Sequence, residues 1–484
     1  MPSVKSFSPQ RHSPYPLGKS HPTTVEAAGD SAILTEVQTV SDVLKAGASG
    51  PLQGTFAAPG DKSVSHRALI LGALATGETP IQGLLESDDV MATARAMAAL
   101  GASLDRTDAG WRVCGVGVGG FRTPDTVLDF GNSGTGARLT MGAVATTPIS
   151  AVFSGDTSLS RRPMARVLDP LTEMGCSWTG TRGPYLPLTL HGTDLAAPFT
   201  YRLPVPSAQV KSAILLAALN TPGITTVIEP EATRDHTERM LRLFGVDIAM
   251  GDADAGGREI AVTGYAEIAG LPLTVPGDPS SAAFPAVAAL LVPDSEIVIC
   301  NVMINPLRIG LYDTLREMGA DIVFVNERQS CGEPVADLKV RACELVGVEV
   351  PAERAPSMID EYPILAVAAA CAQGRTTMHG LQELRVKESD RLNAIVRGLD
   401  RCGIAVQATE DTLTVTGSGP AGVRGQARIE SFHDHRIAMA FLTLGLAARG
   451  PITVDGGRMI ATSFPTYVAT MRSLGARIDS GEPA

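Results

Sequence analysis

The sequence predicts an α/β protein built from six copies of one supersecondary unit, and three observations carry that expectation. A short phrase recurs six times, an apolar helix end followed by Gly and a small or branched residue: Leu100-Gly101-Ala102, Met174-Gly175-Cys176, Phe244-Gly245-Val246, Met318-Gly319-Ala320, Cys402-Gly403-Ile404 and Leu474-Gly475-Ala476. Its glycines lie 74, 70, 74, 84 and 72 residues apart. Upstream of each phrase stands an apolar helix of small residues, with a β-rich strand between the two.

In order, the apolar helices are expected at 67–75, 138–145, 209–219, 282–291, 362–372 and 437–448. Each runs into a turn and a strand, for example 225–228, 296–299 or 451–454. A polar loop then leads to an amphipathic helix such as 89–100, where Val90, Ala94 and Met97 share one stripe. The phrase closes that helix, because Gly takes the positive φ of the residue after a helix end at least cost. Units of 70 to 84 residues are too long for ordinary solenoid repeats. Each reads as strand, helix, strand, helix, strands, burying its apolar helix against the other copies. Three copies per domain make two domains of about 210 residues that meet near 272–277.

Composition bounds the function. The 484-residue chain is 44% hydrophobic, enough for large cores, and its 50 Gly and 33 Pro mark many turns rather than disorder. A net charge of −11 argues against a general binder of nucleic acid or anionic membrane. No stretch approaches the length of a membrane span; 282–292 is among the longest apolar runs. The seven cysteines (114, 176, 300, 331, 343, 371 and 402) form no Cys-x-x-Cys pair, so neither a disulfide framework nor a zinc knuckle is indicated. A reducing cytoplasm fits that pattern. Residues 1–47 read as a disordered extension, too rich in proline for an amphipathic targeting helix and without an apolar secretion segment.

The residues that carry chemistry all fall at helix starts. They include Pro59-Gly60-Asp61-Lys62-Ser63, Asn132-Ser133-Gly134-Thr135-Gly136, Arg161-Arg162-Pro163, Ser207-Ala208-Gln209, Thr233-Arg234-Asp235-His236, Asp360-Glu361-Tyr362, Lys387-Glu388-Ser389-Asp390-Arg391 and His433-Asp434-His435-Arg436. Helix N-termini offer unpaired N–H groups and partial positive charge, which suits phosphate and carboxylate. If these ends converge, Lys62, Arg67, Arg162, Arg234, Lys387, Arg391 and Arg436 form a cationic site inside an acidic protein. Such a site is costly without an anion and so argues for small, multiply anionic substrates.

Plainer readings stand beside this one. Pro-Gly-Asp-Lys-Ser is no Walker loop, because Asp61 intrudes between Gly60 and Lys62, and a turn with an N-cap is equally compatible. Asp434 is more economically a cap for the helix beginning near Arg436 than a metal ligand. The Lys387–Arg391 charge run could be a solvated helix face. Ser207 lacks the context of a hydrolase nucleophile. His66, His236 and His379 read as capping, packing or surface residues.

Together the motifs resemble the 5-enolpyruvylshikimate-3-phosphate synthase family, over about 50–478. PGDKSVSHRA, DFGNSGTGARLT, the Arg162-Pro163 loop, SAQVKS, TRDHTE, PGDPSS, RAPSMIDEYP, LRVKESDRL, DHRIAMAF and ATSFP follow the family's order, with Ser-Ala-Gln as in its bacterial subgroup. The resemblance implies an inside-out α/β barrel of two domains, one holding 62–275 and the other 48–61 plus 276–484. It implies transfer of the enolpyruvyl group of phosphoenolpyruvate to shikimate 3-phosphate, with no metal or organic cofactor and no partner beyond the small substrates; a monomer is the expectation. Lys62, Ser63, Arg67, Ser207, Ala208, Gln209, Arg234, Asp360 and Lys387 would hold shikimate 3-phosphate. Lys62, Gly134, Arg162, Gln209, Arg391 and Arg436 would hold phosphoenolpyruvate, in a pocket that glyphosate also occupies. Asp360 would be the base, and Glu388 with Lys62 the acid. Thr462 departs from the pattern, standing where many relatives have Lys, so its loop is assigned no ligand. The alternatives are the related transferase acting on UDP-N-acetylglucosamine, which typically has Lys-Asn where Lys62-Ser63 stands, and a non-catalytic anion-binding protein of the same fold.

Overall fold

The computed structural model describes residues 41–254 and 256–481, a mixed α/β fold. The helices are α1 (Lys62–Leu74), α2 (Asp88–Ala99), α3 (Gly134–Ala145), α4 (Ala165–Glu173), α5 (Ala208–Ala218), α6 (His236–Leu243), α7 (Pro279–Leu291), α8 (Gly310–Glu317), α9 (Ala355–Met358), α10 (Tyr362–Cys371), α11 (Arg391–Arg401), α12 (His435–Ala447) and α13 (Tyr467–Ser473). The strands of the described residues form six sheets of four, all with one pattern: a parallel pair followed by two antiparallel neighbours. Thr200–Arg202, for instance, runs parallel to Ile224–Glu229, which pairs antiparallel with Arg258–Thr263, and that with Ile248–Asp252.

Local sequence accounts for these elements. In α7 and α10 every residue is buried, which is why neither shows an amphipathic stripe. In α11 Asn393, Arg397, Asp400 and Arg401 face out, and Leu392, Ile395 and Leu399 face in. All six phrase glycines have positive φ, between 78° at Gly403 and 118° at Gly101. The apolar helices begin three to five residues earlier than the periodicity indicated in several copies, because side chains cap them. Asp61, Ser133, Ser207, Asp278 and Asp434 each accept a backbone N–H within the first turn of α1, α3, α5, α7 and α12. Lys62, Ser63 and Arg67 therefore lie inside α1.

Two hydrophobic cores result. One gathers residues between Val64 and Val275 with Met303 and Cys331; the other gathers Leu44, Ala46 and Leu52 with residues between Ala282 and Ile478. Two strands are exchanged between them. Gln53–Ala57, which precedes α1, pairs parallel with Glu296–Met303, while Leu273–Thr274, which precedes α7, pairs parallel with Thr76–Gln82.

One expectation needs correction. The extension assigned to 1–47 ends in a strand, Leu44–Gly47, which lies between Ile452–Val454 and Arg477–Ser480, antiparallel to both. Leu44 and Ala46 point into the core at 2% and 0% exposure, so apolar burial holds this segment. Residues 1–40 lie outside the described residues. Leu44→Ala should cost about 2–5 kcal/mol in urea unfolding, the usual cost of a buried Leu truncation. Val127→Ala, at a position 52% exposed, should stay within about 0.5 kcal/mol of wild type.

Candidate active site

The helix starts singled out in the sequence divide into two sets with different electrostatics. In the first core Arg67, Arg138 and Arg162 have neutral partners. Arg67, buried on α1, donates from Nε to Thr237 Oγ1 at 2.7 Å, from Nη2 to Ser212 Oγ at 2.7 Å and from Nη1 to the Ser63 carbonyl at 2.9 Å. Burial draws its pKa down to about 10. Ser207 caps α5, and Ser212 leans back onto the carbonyl of Ala208 at 2.6 Å, placing the Ser-Ala-Gln turn beside Arg67. Gln209 donates to Thr135 Oγ1 at 2.9 Å and accepts from Arg138 Nη1 at 2.9 Å. Arg162 donates to Asn132 Oδ1 at 3.0 Å and Ser158 Oγ at 3.2 Å. Among the described residues, neither Arg67, Arg138 nor Arg162 has a carboxylate at ion-pair distance. A buried guanidinium without a counter-charge marks a place prepared for an anion.

Arg138 is a functional candidate that the sequence reading passed over. It lies in the quoted motif, but a charged residue one turn into an apolar helix gave no sign of facing the site. Gly134 opens α3, and a Cβ there would sit 2.8 Å from Arg138 Nη1 and 3.5 Å from Arg162 Nη1. The missing side chain thus leaves room for both guanidinium groups.

In the second core the cations are paired. Arg391, the first residue of α11 and fully buried, donates from Nε to Asp434 Oδ2 at 2.8 Å and from Nη1 to Asp360 Oδ1 at 3.1 Å, with Nη2 2.6 Å from Glu388 Oε2. Lys387 Nζ is 3.8 Å from Asp360 Oδ1. Arg436 Nη1 lies 3.4 Å from both Glu361 Oε1 and the Asp360 carbonyl. Among the described residues Arg234 joins the two sets, its Nη2 donating to Asp360 Oδ2 at 2.7 Å. Lys62 pairs with Asp89 and is close enough to help depress the pKa of buried His435, which burial and Arg436 draw down to about 3.

These pairings correct the picture of an uncompensated cationic cluster. Arg391, expected to hold an anion directly, is also shared by three carboxylates, Asp434, Asp360 and Glu388. The acids are affected in turn. Burial opposes ionisation of Asp360, but Lys387, Arg234, Arg436 and Arg391 outweigh it and hold the carboxyl well below the usual range. Burial is likewise overridden at Glu388, chiefly by Arg391 and then by His435. Both are carboxylates in this arrangement. His433-Asp434-His435 has other work: Asp434 caps α12 and binds Arg391, and His435 Nδ1 faces Thr462 Oγ1 at 3.4 Å.

Residues 47–471 match the family described as EPSP synthase (3-phosphoshikimate 1-carboxyvinyltransferase). The chain is 60% identical over 436 residues to the 3-phosphoshikimate 1-carboxyvinyltransferase of Paramagnetospirillum magneticum, covering 90% of this chain and 98% of that protein. It is 58% identical over 440 residues to the protein of that name from Rhodospirillum rubrum, covering 90% and 97%. A solved EPSP synthase from Acinetobacter baumannii superposes with a TM-score of 0.83 at 41% identity, covering 91% of this chain and all of that one.

Removing the shared guanidinium should expose its role. Arg391→Met leaves buried Asp434 without its counter-charge, beside half-buried Asp360 and exposed Glu388, which should cost about 3–5 kcal/mol at neutral pH. Arg391 is the chief influence holding the Glu388 carboxyl below the usual range, so without it that carboxyl rises in the folded state and the deficit should shrink as the pH falls and Glu388 takes up a proton. Urea unfolding between pH 7 and pH 5 measures both effects; a pH-independent deficit would show that the carboxylates do not depend on Arg391.

Proposed function

The chain belongs to the EPSP synthase (3-phosphoshikimate 1-carboxyvinyltransferase) family, and on that footing we propose that it transfers the enolpyruvyl group of phosphoenolpyruvate to the 5-hydroxyl of shikimate 3-phosphate, releasing phosphate. The observation that carries the reading is the placement of Asp360 between Arg234 of one core and Lys387 and Arg391 of the other. A carboxylate held by cations from both sides is suited to a reaction whose two substrates are both anionic.

The architecture enters this reading as six copies of one unit, three to each domain, with the apolar helices directed inside-out toward a common cleft. Domains of 62–275 and of 48–61 plus 276–484 are supported by the two cores and the exchanged strands. The proposed assembly is a monomer. Free thiols throughout the described residues accord with a reducing cytoplasm.

Shikimate 3-phosphate would dock first on neutral-partnered Arg67, with Ser63, Ser207, Ala208 and Gln209 around it, and extend to Arg234 and Lys387. Phosphoenolpyruvate would take Arg162, Gln209 and the open space over Gly134, then Lys62, Arg391 and Arg436. Arriving anions compete with Asp360 and Glu388 for these cations. As Arg234 and Lys387 turn to the substrate, Asp360 loses the charges that depress its pKa and becomes a competent base. Glu388 gains proton affinity in the same way when Arg391 engages an anion. Asp360 takes the proton of the 5-hydroxyl as its oxygen attacks C2 of phosphoenolpyruvate, while Glu388, assisted by Lys62, protonates C3. Loss of a C3 proton and expulsion of phosphate from the tetrahedral adduct then restore the enol ether.

Phosphate should be released from phosphoenolpyruvate only when shikimate 3-phosphate is present, and not with UDP-N-acetylglucosamine. Asp360→Asn and Glu388→Gln should each lower kcat by ~10²-fold or more. Arg67→Ala should instead weaken shikimate 3-phosphate binding by roughly 1.5–3 kcal/mol, the value of a charge-assisted contact. Normal turnover of Asp360→Asn would show that another group is the base.

Gly134→Ala tests the phosphoenolpyruvate side. Its methyl group must displace the Arg138 guanidinium and narrow the pocket, and glyphosate is longer than phosphoenolpyruvate. A differential clash of ~1–3 kcal/mol should raise the inhibition constant for glyphosate about ten- to a hundredfold more than the KM for phosphoenolpyruvate. Equal increases in the two constants would mean that Gly134 tunes anion binding in general.

A further inference from the structure

The two places where the chain passes between cores lie side by side. Gly60 and Gly277 form a β-bridge, the Asp61 amide donates to the Pro276 carbonyl at 2.7 Å, and the Asp278 amide donates to the Pro59 carbonyl at 2.8 Å. Asp61 caps α1 and Asp278 caps α7, so each crossing brings one buried carboxylate to the start of a helix in a different core. A single guanidinium joins them. Arg308, 3% exposed, donates from Nη1 to Asp61 Oδ2 at 2.8 Å and from Nη2 to Asp278 Oδ1 at 3.0 Å.

The same arginine reaches both flanks of the site. Lys62 and Ser63 directly follow Asp61. On the other flank Nη2 donates to Ser280 Oγ at 3.1 Å, Ser280 bonds Glu361, and Glu361 holds Arg436. His236 braces the arrangement. Its Nδ1 is 2.7 Å from Glu333 Oε1 and its Nε2 is 3.2 Å from Arg308 Nη1, so the ring donates to Glu333 and accepts from Arg308.

We infer that Arg308 is a positioning residue: by gripping Asp61 and Asp278 at once, it fixes Lys62 relative to Asp360 and Arg436 without touching substrate. The inference rests on the reading of the site given above. Its physical basis is that Asp61 and Asp278 repel. Burial and then Asp61 push the Asp278 carboxyl up, against the pull of Arg308 and Arg436. Remove the guanidinium, and two buried like charges separate the starts of α1 and α7. Small displacements of reacting groups cost large factors in rate.

The test combines steady-state kinetics with calorimetric counting of shikimate 3-phosphate sites in Arg308→Met and Arg308→Lys. Arg308→Met should still bind about one ligand per chain, with KM within about threefold of wild type, while kcat falls tenfold or more. Arg308→Lys keeps the charge and should lose less. Adding Asp278→Asn to Arg308→Met should restore part of kcat, since the buried repulsion is then relieved. An unchanged kcat in Arg308→Met would overturn the inference. A fall in kcat that merely matches lost binding sites, or no rescue by Asp278→Asn, would also overturn it. Should Arg308→Met fail to fold, Arg308→Lys decides alone: reduced kcat with intact binding supports the inference, and wild-type kcat overturns it. Absence of turnover in the wild type would be a separate failure, that of the functional reading itself.

Discussion

Burying a guanidinium without a counter-charge is costly, and the pairing of fully buried Arg391 organises the second core's side of the site. Its three carboxylates come from three stretches: Asp434 at the start of α12, Glu388 in the loop before α11 and Asp360 just before α10. Meeting at one group brings the starts of three helices together. Burying such a mesh is a poor way to gain stability, since desolvation of each ion offsets much of the attraction. The arrangement is better explained by chemistry. Asp434 is already occupied as a helix cap, so the two remaining carboxylates are the ones able to exchange partners.

The first core supplies the opposite condition. Arg67, Arg138 and Arg162 are held by hydroxyls, carbonyls and two side-chain amides, groups that orient a guanidinium without neutralising it. An anion gains most there, because nothing need be displaced. One side of the site thus offers uncompensated charge for binding, and the other offers compensated charge whose release changes the basicity of its acids. Arg234 on Asp360 is the ion pair that joins them.

Much of this was legible in the sequence where the signal is local. Six Gly phrases and six apolar stretches located the helices, and the helix-start motifs located the charged residues. The fold's non-local features were not legible. Leu44–Gly47 is four residues with one strongly apolar side chain, too short for alternation to declare a strand, and its partners lie more than 400 residues away. The exchange of Gln53–Ala57 and Leu273–Thr274 depends on pairings that no periodicity records. Asp61 was visible as a cap, but its grip on Arg308 spans 247 residues. The carboxylate pairing of the cationic cluster was hidden for the same reason: the sequence shows which charges exist, and only the packing shows which are already spent on each other.

The central claim is that anionic substrate takes cations away from Asp360. The most direct measurement is the number of protons taken up when shikimate 3-phosphate binds, obtained by calorimetry near pH 5.5 in buffers of different ionisation enthalpy. Comparing wild type with Asp360→Asn cancels the titration of the phosphate itself. The account predicts greater proton uptake by the wild type, because the Asp360 carboxyl rises from its depressed value as Arg234 and Lys387 turn to the ligand. Equal uptake in the two proteins would contradict it.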